Sequence, residues 1–226
     1  MCGIIGVSLK NITPEQLAKI HLLIEESSIR GIHATGISYL HNHEITTIKD
    51  HLAAKYFSAA QKLLDYRNED GGLYMIAHTR YSTSDLKFNQ PLGNDRLVIV
   101  HNGIISQSNP KSWKKEFRLK TKTTNDSELI LQCLNGGNHP LNKFKGSMAV
   151  CGLYEDGEIF AFRNSERPLW HSQEDNGVVF ASTKDILLRS GFKNPIKCDM
   201  FTEYVCCKGI LTKQLFTTPV GVKDLQ

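Results

Sequence analysis

The sequence is short of several features, and each absence excludes something. No stretch of eighteen apolar residues occurs in the 226 positions, which excludes a membrane-spanning helix. The start, Met1-Cys2-Gly3-Ile4-Ile5-Gly6-Val7, lacks the basic n-region and the length of a signal sequence. Charge of one sign is not in excess: 27 Lys and Arg stand against 23 Asp and Glu, a formal net charge of +4. That surplus is small and scattered, so it permits an anionic partner without arguing for nucleic acid. The six cysteines, Cys2, Cys133, Cys151, Cys198, Cys206 and Cys207, include no Cys-x-x-Cys pair and mostly sit in apolar runs. They read as reduced cytosolic thiols rather than a disulfide framework. Cys206 and Cys207 are adjacent in a strand-like run, so they point to opposite faces and make a poor metal or disulfide site. The nine His do not fall at metal-ligand spacing, and His-Glu-x-x-His, EF-hand and P-loop patterns are missing, so neither a metal nor a cofactor is called for. Gly-x-Gly-x-x-Gly and a βαβαβ rhythm are missing too, which disfavours a dinucleotide fold. There is no internal repeat and no low-complexity tract.

What is present suits one domain with a sizeable core: 40% hydrophobic and 22% charged residues. Residues 2–9 read as a short buried strand. Thr13-Pro14-Glu15-Gln16 opens a helix with a cap, a first-turn proline and a capping box, and Leu17, Ile20, Leu23 and Ile24 recur at helical spacing up to about Arg30-Gly31. Residues 37–40 and 44–49 form a hairpin around His41-Asn42-His43. Residues 51–67 read as a second amphipathic helix, with Leu52, Tyr56, Ala59 or Ala60, and Leu63 on its apolar side. Buried strands follow at 73–78 and 97–101, and the polar loop between them carries Pro91 and Gly93. The Lys-rich stretch 106–123 reads as an irregular lid or a solvated insertion. A helix covers 126–134. Strands are expected at 147–154, 157–163, 177–181, about 199–202 and 204–208, with a helix at 183–190 and a hairpin turn at Glu155-Asp156-Gly157. The order implies an α+β protein with largely antiparallel sheets.

Four short segments hold residues suited to chemistry. Cys2 follows the initiator Met, and a small second residue generally allows that Met to be trimmed. Cys2 would then carry a thiol, with a reference pKa near 8.5, and an α-amine, near 7.7–8.0, on one residue. The amine can then serve as base for the thiol, as in N-terminal nucleophiles. The plainer reading of Cys2 is a small apolar residue in a core strand. In Ala77-His78-Thr79-Arg80-Tyr81-Ser82-Thr83, Arg80 offers a planar fork for a carboxylate and Thr83 a hydroxyl for the same ligand, although a structural ion pair would explain an isolated Arg. Asn102-Gly103 at a strand end is a turn signal. It also suits an oxyanion hole, through the Asn102 amide and a close backbone N–H that Gly103 allows. Asp126 stands at a helix start, where it can cap or hold an ammonium group. His78 and His101 beside these segments suit core or supporting roles. Together the four make a kit for hydrolysing an amino-acid side-chain amide.

In order along the chain, Cys2–Val7, Arg30–Gly36, His78–Thr83, His101–Ile105 and Asn125–Ile130 resemble the glutaminase domain of class II glutamine amidotransferases. The likeness is to those of glucosamine-6-phosphate synthase and amidophosphoribosyltransferase, and it runs from Cys2 to about Arg189. It implies an N-terminal-nucleophile hydrolase fold, a four-layer αββα sandwich, with residues 1–226 forming one glutaminase domain and 106–123 a variable segment. It implies L-glutamine as substrate and ammonia and L-glutamate as products. Under it Cys2 is the nucleophile, Arg80 and Thr83 hold the α-carboxylate, and Asn102 and Gly103 form the oxyanion hole. Asp126 binds the α-amine with help from the Gly103 carbonyl. Arg30 and Gly31 match an arginine-glycine of the family that supports the Cys2 region, with His78 nearby. Gly146, Arg163, Pro168-Leu169 and Ala181-Ser182 resemble later strand ends and turns.

Three positions depart from the family pattern. Tyr81 stands where the synthases carry Trp, Ser84 where His is often found, and His33 where Asp is usual. The first two lie where glutamine binding couples to loop closure, so gating is expected to differ. The synthases also fuse this domain to one that consumes ammonia. Here the ammonia goes to a separate synthase or acceptor subunit, escapes as product, or the chain is part of something longer. Two alternatives remain: an N-terminal Cys hydrolase acting on another amide, and a non-catalytic regulatory or scaffold subunit.

Overall fold

The computed structural model describes residues 1–82, 87–164 and 167–216. Its strands are β1 (Gly3–Leu9), β2 (Ala34–His41), β3 (Glu44–Asp50), β4 (Leu73–Arg80), β5 (Leu92–Gly93), β6 (Leu97–Ile104), β7 (Ser147–Tyr154), β8 (Ile159–Arg163), β9 (Trp170–Glu174), β10 (Gly177–Ala181), β11 (Ile196–Lys197), β12 (Thr202–Cys207) and β13 (Ile210–Leu215). The α-helices are α1 (Pro14–Glu26), α2 (Trp113–Phe117), α3 (Ser127–Asn135), α4 (Pro140–Lys143) and α5 (Lys184–Arg189). One sheet runs β11-β9-β10-β1-β4-β2-β3 and the other β13-β12-β8-β7-β6-β5, with each described strand pair antiparallel.

Side-chain alternation builds the layers. In β1, Ile5, Val7 and Leu9 pack with α1 and α5, while Ile4 points into the space between the sheets. In β6, Val98 and Val100 face that inner space, while Leu97 and Ile99 pack against α3 and α4. The result is helix, sheet, sheet, helix: the four-layer αββα sandwich. β1 lies between β10 and β4 and is buried along its whole length, which accounts for its nearly unbroken apolar sequence. The capping box at α1 is formed, with Gln16 N–H donating to Thr13 Oγ1 at 3.2 Å and Thr13 N–H to Gln16 Oε1 at 3.1 Å. Cys206 is buried and Cys207 exposed, as alternation requires. No helix among the described residues is long and apolar enough to cross a membrane.

Several expectations are corrected. Residues 51–67 form 3₁₀ turns, Ala54–Tyr56 and Ser58–Tyr66, rather than an amphipathic α-helix, and Leu52 and Tyr56 are exposed. Of the buried residues Ala54, Phe57, Ala59, Ala60, Leu63 and Tyr66, all but Ala59 fall on a three-residue spacing, the 3₁₀ period. The Lys-rich stretch is not wholly irregular: α2 forms there because Trp113 is buried under it, with its Nε1 donating to the Ser108 carbonyl at 3.2 Å. No strand forms at 199–202. Asp199 is instead held by the Tyr204 hydroxyl, which stands 2.8 Å from its backbone N, and β12 starts at Thr202. β9 and β13 escape a hydrophobic pattern because one is polar in sequence and the other is a mostly exposed edge strand.

The active end of β1 is tied down on its β10 side by Ser182. Its Oγ accepts from Ile4 N–H at 2.8 Å, and its own N–H donates to the Ile4 carbonyl at 3.1 Å. Ser182→Ala leaves the buried Ile4 N–H without that acceptor. Urea unfolding is expected to register a loss of about 1–3 kcal/mol.

Candidate active site

Alternation also collects the chemistry. Cys2 has the parity of Ile4, His78 and Arg80 that of Tyr74 and Ile76, and Asn102 that of Val98 and Val100. Those partners face the space between the sheets, so the reactive residues gather at one end of it. The register makes it the same end, since Gly3 pairs with Thr79 and Ile4 with His78. A cavity of about 330 Å³ opens there, lined by Cys2, His78, Arg80, Asn102, Gly103 and Asp126 among others. Met1 is also on its wall.

Cys2 is half-buried, and its carbonyl accepts from Arg30 Nε at 2.9 Å. Arg30 Nη2 lies 3.7 Å from Met1 Sδ. Burial lowers the Arg30 pKa; the Cys2 charge opposes that effect and Arg167 adds to it. Gly31 is demanded by space: a Cβ there would strike the backbone of Arg80 and the Thr79 carbonyl. Thr79 in turn donates through its hydroxyl to the Ser27 carbonyl at 2.8 Å, which fastens the end of β4 beneath the end of α1.

Arg80 is oriented by the loop after it. Its Nη1 donates to the Phe88 carbonyl at 3.0 Å and to Asn89 Oδ1 at 2.9 Å. Thr83, the other expected carboxylate contact, and Ser84 lie outside the described residues. The departures His33 and Tyr81 touch each other, with ring centroids 5.0 Å apart, and His33 Nδ1 accepts from Ser82 N–H at 2.9 Å.

Asn102 is buried, and its Nδ2 has no hydrogen-bond partner among the described residues. An unpaired buried donor is costly unless a ligand uses it. Gly103 has φ +154°, and a Cβ there would run into the Ser147 carbonyl, so this position tolerates only glycine. The next residue is fixed by Ile104 N–H donating to Ser147 Oγ at 3.2 Å, and Arg167 Nε donates to the same oxygen at 3.1 Å.

Asp126 occupies the N-cap position of α3, but its side chain makes no capping bond; Asn125 Oδ1 instead accepts from Ser127 N–H at 3.0 Å. Asp126 Oδ2 instead accepts from Ile105 N–H at 2.6 Å and Ser106 N–H at 3.3 Å, which holds the chain after the Asn-Gly pair. Its carboxylate still lines the cavity.

His78 is fully buried, and its pKa is pushed down to about 3, first by burial and then by Arg80 and His101. Burial is also the main cause of the lowered pKa of His101. Burial thus disfavours the protonated form of both imidazoles and makes each a weaker base than a free one. His101 Nδ1 lies 2.8 Å from Ser127 Oγ. Sequence reasoning did not single out Gln90, Ser127, Ser147 or Arg167. Their only signals were a polar loop around Pro91 for Gln90, membership of the Asn125–Ile130 segment for Ser127, and positions next to Gly146 and Pro168 for Ser147 and Arg167.

Comparison with known proteins gives these features a context. A family model described as "Glutamine amidotransferase domain" matches residues 66–225. The glutamine–fructose-6-phosphate aminotransferase (isomerizing) of Bartonella henselae is 28% identical over 172 residues, which is 69% of this chain and 27% of that protein. The 7-cyano-7-deazaguanine synthase of Saccharolobus solfataricus is 24% identical over 250 aligned positions, 99% of this chain and 51% of that protein. The chain thus spans from about a quarter to half of the length of these relatives. Among solved structures, the glutamine phosphoribosylpyrophosphate amidotransferase of B. subtilis superposes with a TM-score of 0.72 at 20% identity, over 96% of this chain and 49% of that one. With the family model matching well over half of its residues, this chain belongs to the glutamine amidotransferase domain family, in its class II, N-terminal-nucleophile branch, and is a glutamine-hydrolysing enzyme.

Proposed function

We propose that Cys2, freed by removal of Met1, hydrolyses the side-chain amide of L-glutamine through a thioester. In this reading residues 1–226 act as one glutaminase unit and pass ammonia to an acceptor on a separate subunit. The observation that carries this reading is the convergence of Cys2, Arg80, Asn102, Gly103 and Asp126 on one cavity. The family match begins at residue 66, so the part given to Cys2 rests on that convergence. The two relatives, an aminotransferase and a synthase, carry different names, so the family leaves the acceptor open. Free thiols throughout the described chain suit a reducing, cytoplasmic compartment.

Glutamine enters with its α-carboxylate on Arg80, assisted by Thr83, and its α-ammonium on Asp126 and the Gly103 carbonyl. The α-amine of Cys2 takes the thiol proton, and the thiolate attacks the amide carbon. The oxygen that becomes negative is met by Asn102 Nδ2 and by the backbone N–H of Gly103. The protonated amine then gives its proton to the departing nitrogen, and ammonia leaves. Water, deprotonated by the same amine, attacks the thioester; the thiol is restored and glutamate released. The basicity of His78 and His101, lowered by burial, favours the amine over either imidazole as base.

Cys2→Ala is expected to abolish glutamine hydrolysis, read as glutamate release. Intact-mass measurement of active protein should find it lacking Met1 and gaining one adduct from a glutamine-like diazoketone. Retention of activity by Cys2→Ala, or of Met1 by the active form, would overturn the mechanism. Asn102→Ala removes one oxyanion donor and is expected to lower kcat by about 10²–10³-fold, equivalent to about 2.7–4 kcal/mol. Its KM should change little, because that donor acts on charge absent from the ground state.

A further inference from the structure

We propose that Gln90 is a positioning residue for the oxyanion hole and Asn89 one for the carboxylate clamp, so that a single loop aligns both halves of the site. The inference rests on the glutaminase reading above.

β5 pairs with β6 only through Leu92↔Ile99 and Gly93↔Val98. Beyond Ile99, the β5 side of β6 has no further paired strand residue, yet Asn102 and Gly103 lie there. Gln90 supplies the missing pairing. Its Oε1 accepts from His101 N–H, and its Nε2 donates to the His101 carbonyl at 3.1 Å. A side-chain amide thus takes both backbone groups of the residue just before Asn102, as a longer β5 would. The same Nε2 lies 3.1 Å from Ser127 Oγ, and that oxygen meets His101 Nδ1 at 2.8 Å, which closes a ring through α3. Gln90 is buried, so bulk water is poorly placed to replace it.

Asn89 serves the other half. Its Oδ1 accepts from Arg80 Nη1 at 2.9 Å, beside the Phe88 carbonyl that accepts from the same nitrogen. The loop backbone is anchored from outside. Lys49 on β3 donates through Nζ to the carbonyls of Asn89 and Pro91, each at 3.2 Å, and so brackets Gln90. Asn125 Nδ2 donates to the Phe88 carbonyl at 2.9 Å.

The test is steady-state glutamine hydrolysis by the full chain, with thermal unfolding in parallel. Gln90→Met is expected to lower kcat on the order of 10²-fold while KM stays within about threefold, because the misplaced donors act on charge that is absent from the ground state. Asn89→Ala is expected to do the reverse, raising KM about tenfold with kcat held within about threefold. If Gln90→Met does not fold, Gln90→Glu keeps an acceptor for His101 N–H but loses the amide donor, and is expected to lose about tenfold in kcat. This opposed split is what a merely structural loop would not produce. If the wild type is active but the folded variants change KM and kcat together, or not at all, the inference is overturned and the glutaminase reading stands. A wild type that releases no glutamate overturns that reading, and the inference with it.

Discussion

The double antiparallel embrace of β1 is the constraint on which the site depends. A nucleophile at a chain terminus has covalent support on one side only, and termini fray unless they are tied down. Here the strand beginning at Gly3 is hydrogen-bonded to β10 on one edge and β4 on the other, and covered on both faces. Ser182 extends the pairing to Ile4, and Arg30 reaches over to hold the Cys2 carbonyl. Cys2 therefore projects from a rigid edge rather than a loose end. The same pairing sets β4 so that Arg80 leaves the sheet beside it.

The floor of the site is buried and polar at once. His78 and Asn102 are buried, and each carries a nitrogen with no partner among the described residues. A protein tolerates such atoms where substrate will use them or where strain is stored for function. In a low-dielectric pocket a preoriented amide donor is worth more to a developing anion than in water, and it need not reorganise. Burial also lowers the basicity of both imidazoles, which weakens two competing proton acceptors near a thiol.

Much of this was legible in the sequence because it rests on local rules. Two-residue alternation in β1, β4 and β6 is enough to place Cys2, Arg80 and Asn102 on one side of their strands, and Thr13 with Gln16 marks the start of α1. What escaped has non-local causes. The apolar residues of 51–67 fit a 3.6-residue period in sequence, although in the fold all of its buried residues but Ala59 repeat every three. β13 pairs at an edge and buries almost nothing, so it leaves no hydrophobic signature. Gln90 and Ser147 act through partners 11 and 43 residues away, and no spacing rule connects such positions. Asp126 shows the limit from the other side: a carboxylate at a helix start suggests a cap, but Asn125 makes the capping bond and leaves Asp126 to hold the chain after Gly103.

The departures at His33 and Tyr81 are best understood as one change rather than two. Their rings are in contact, and His33 N–H also donates to the Arg80 carbonyl at 3.0 Å. The backbone they link is close-packed, since Gly31 leaves no room for a Cβ against Arg80. A carboxylate at position 33 would place a negative charge where this chain has an imidazole accepting from Ser82 N–H. An acceptor is retained, the charge is lost, and the ring gains an aromatic neighbour in Tyr81. The contact joins the loop that carries Arg30, and so the proposed nucleophile, to the strand end that carries Arg80, and so the proposed substrate clamp. Side chains joining two halves of a site transmit displacement between them only when the packing between them is tight. Here Gly31 makes it so, and the altered pair preserves a connection between nucleophile and clamp by different chemistry.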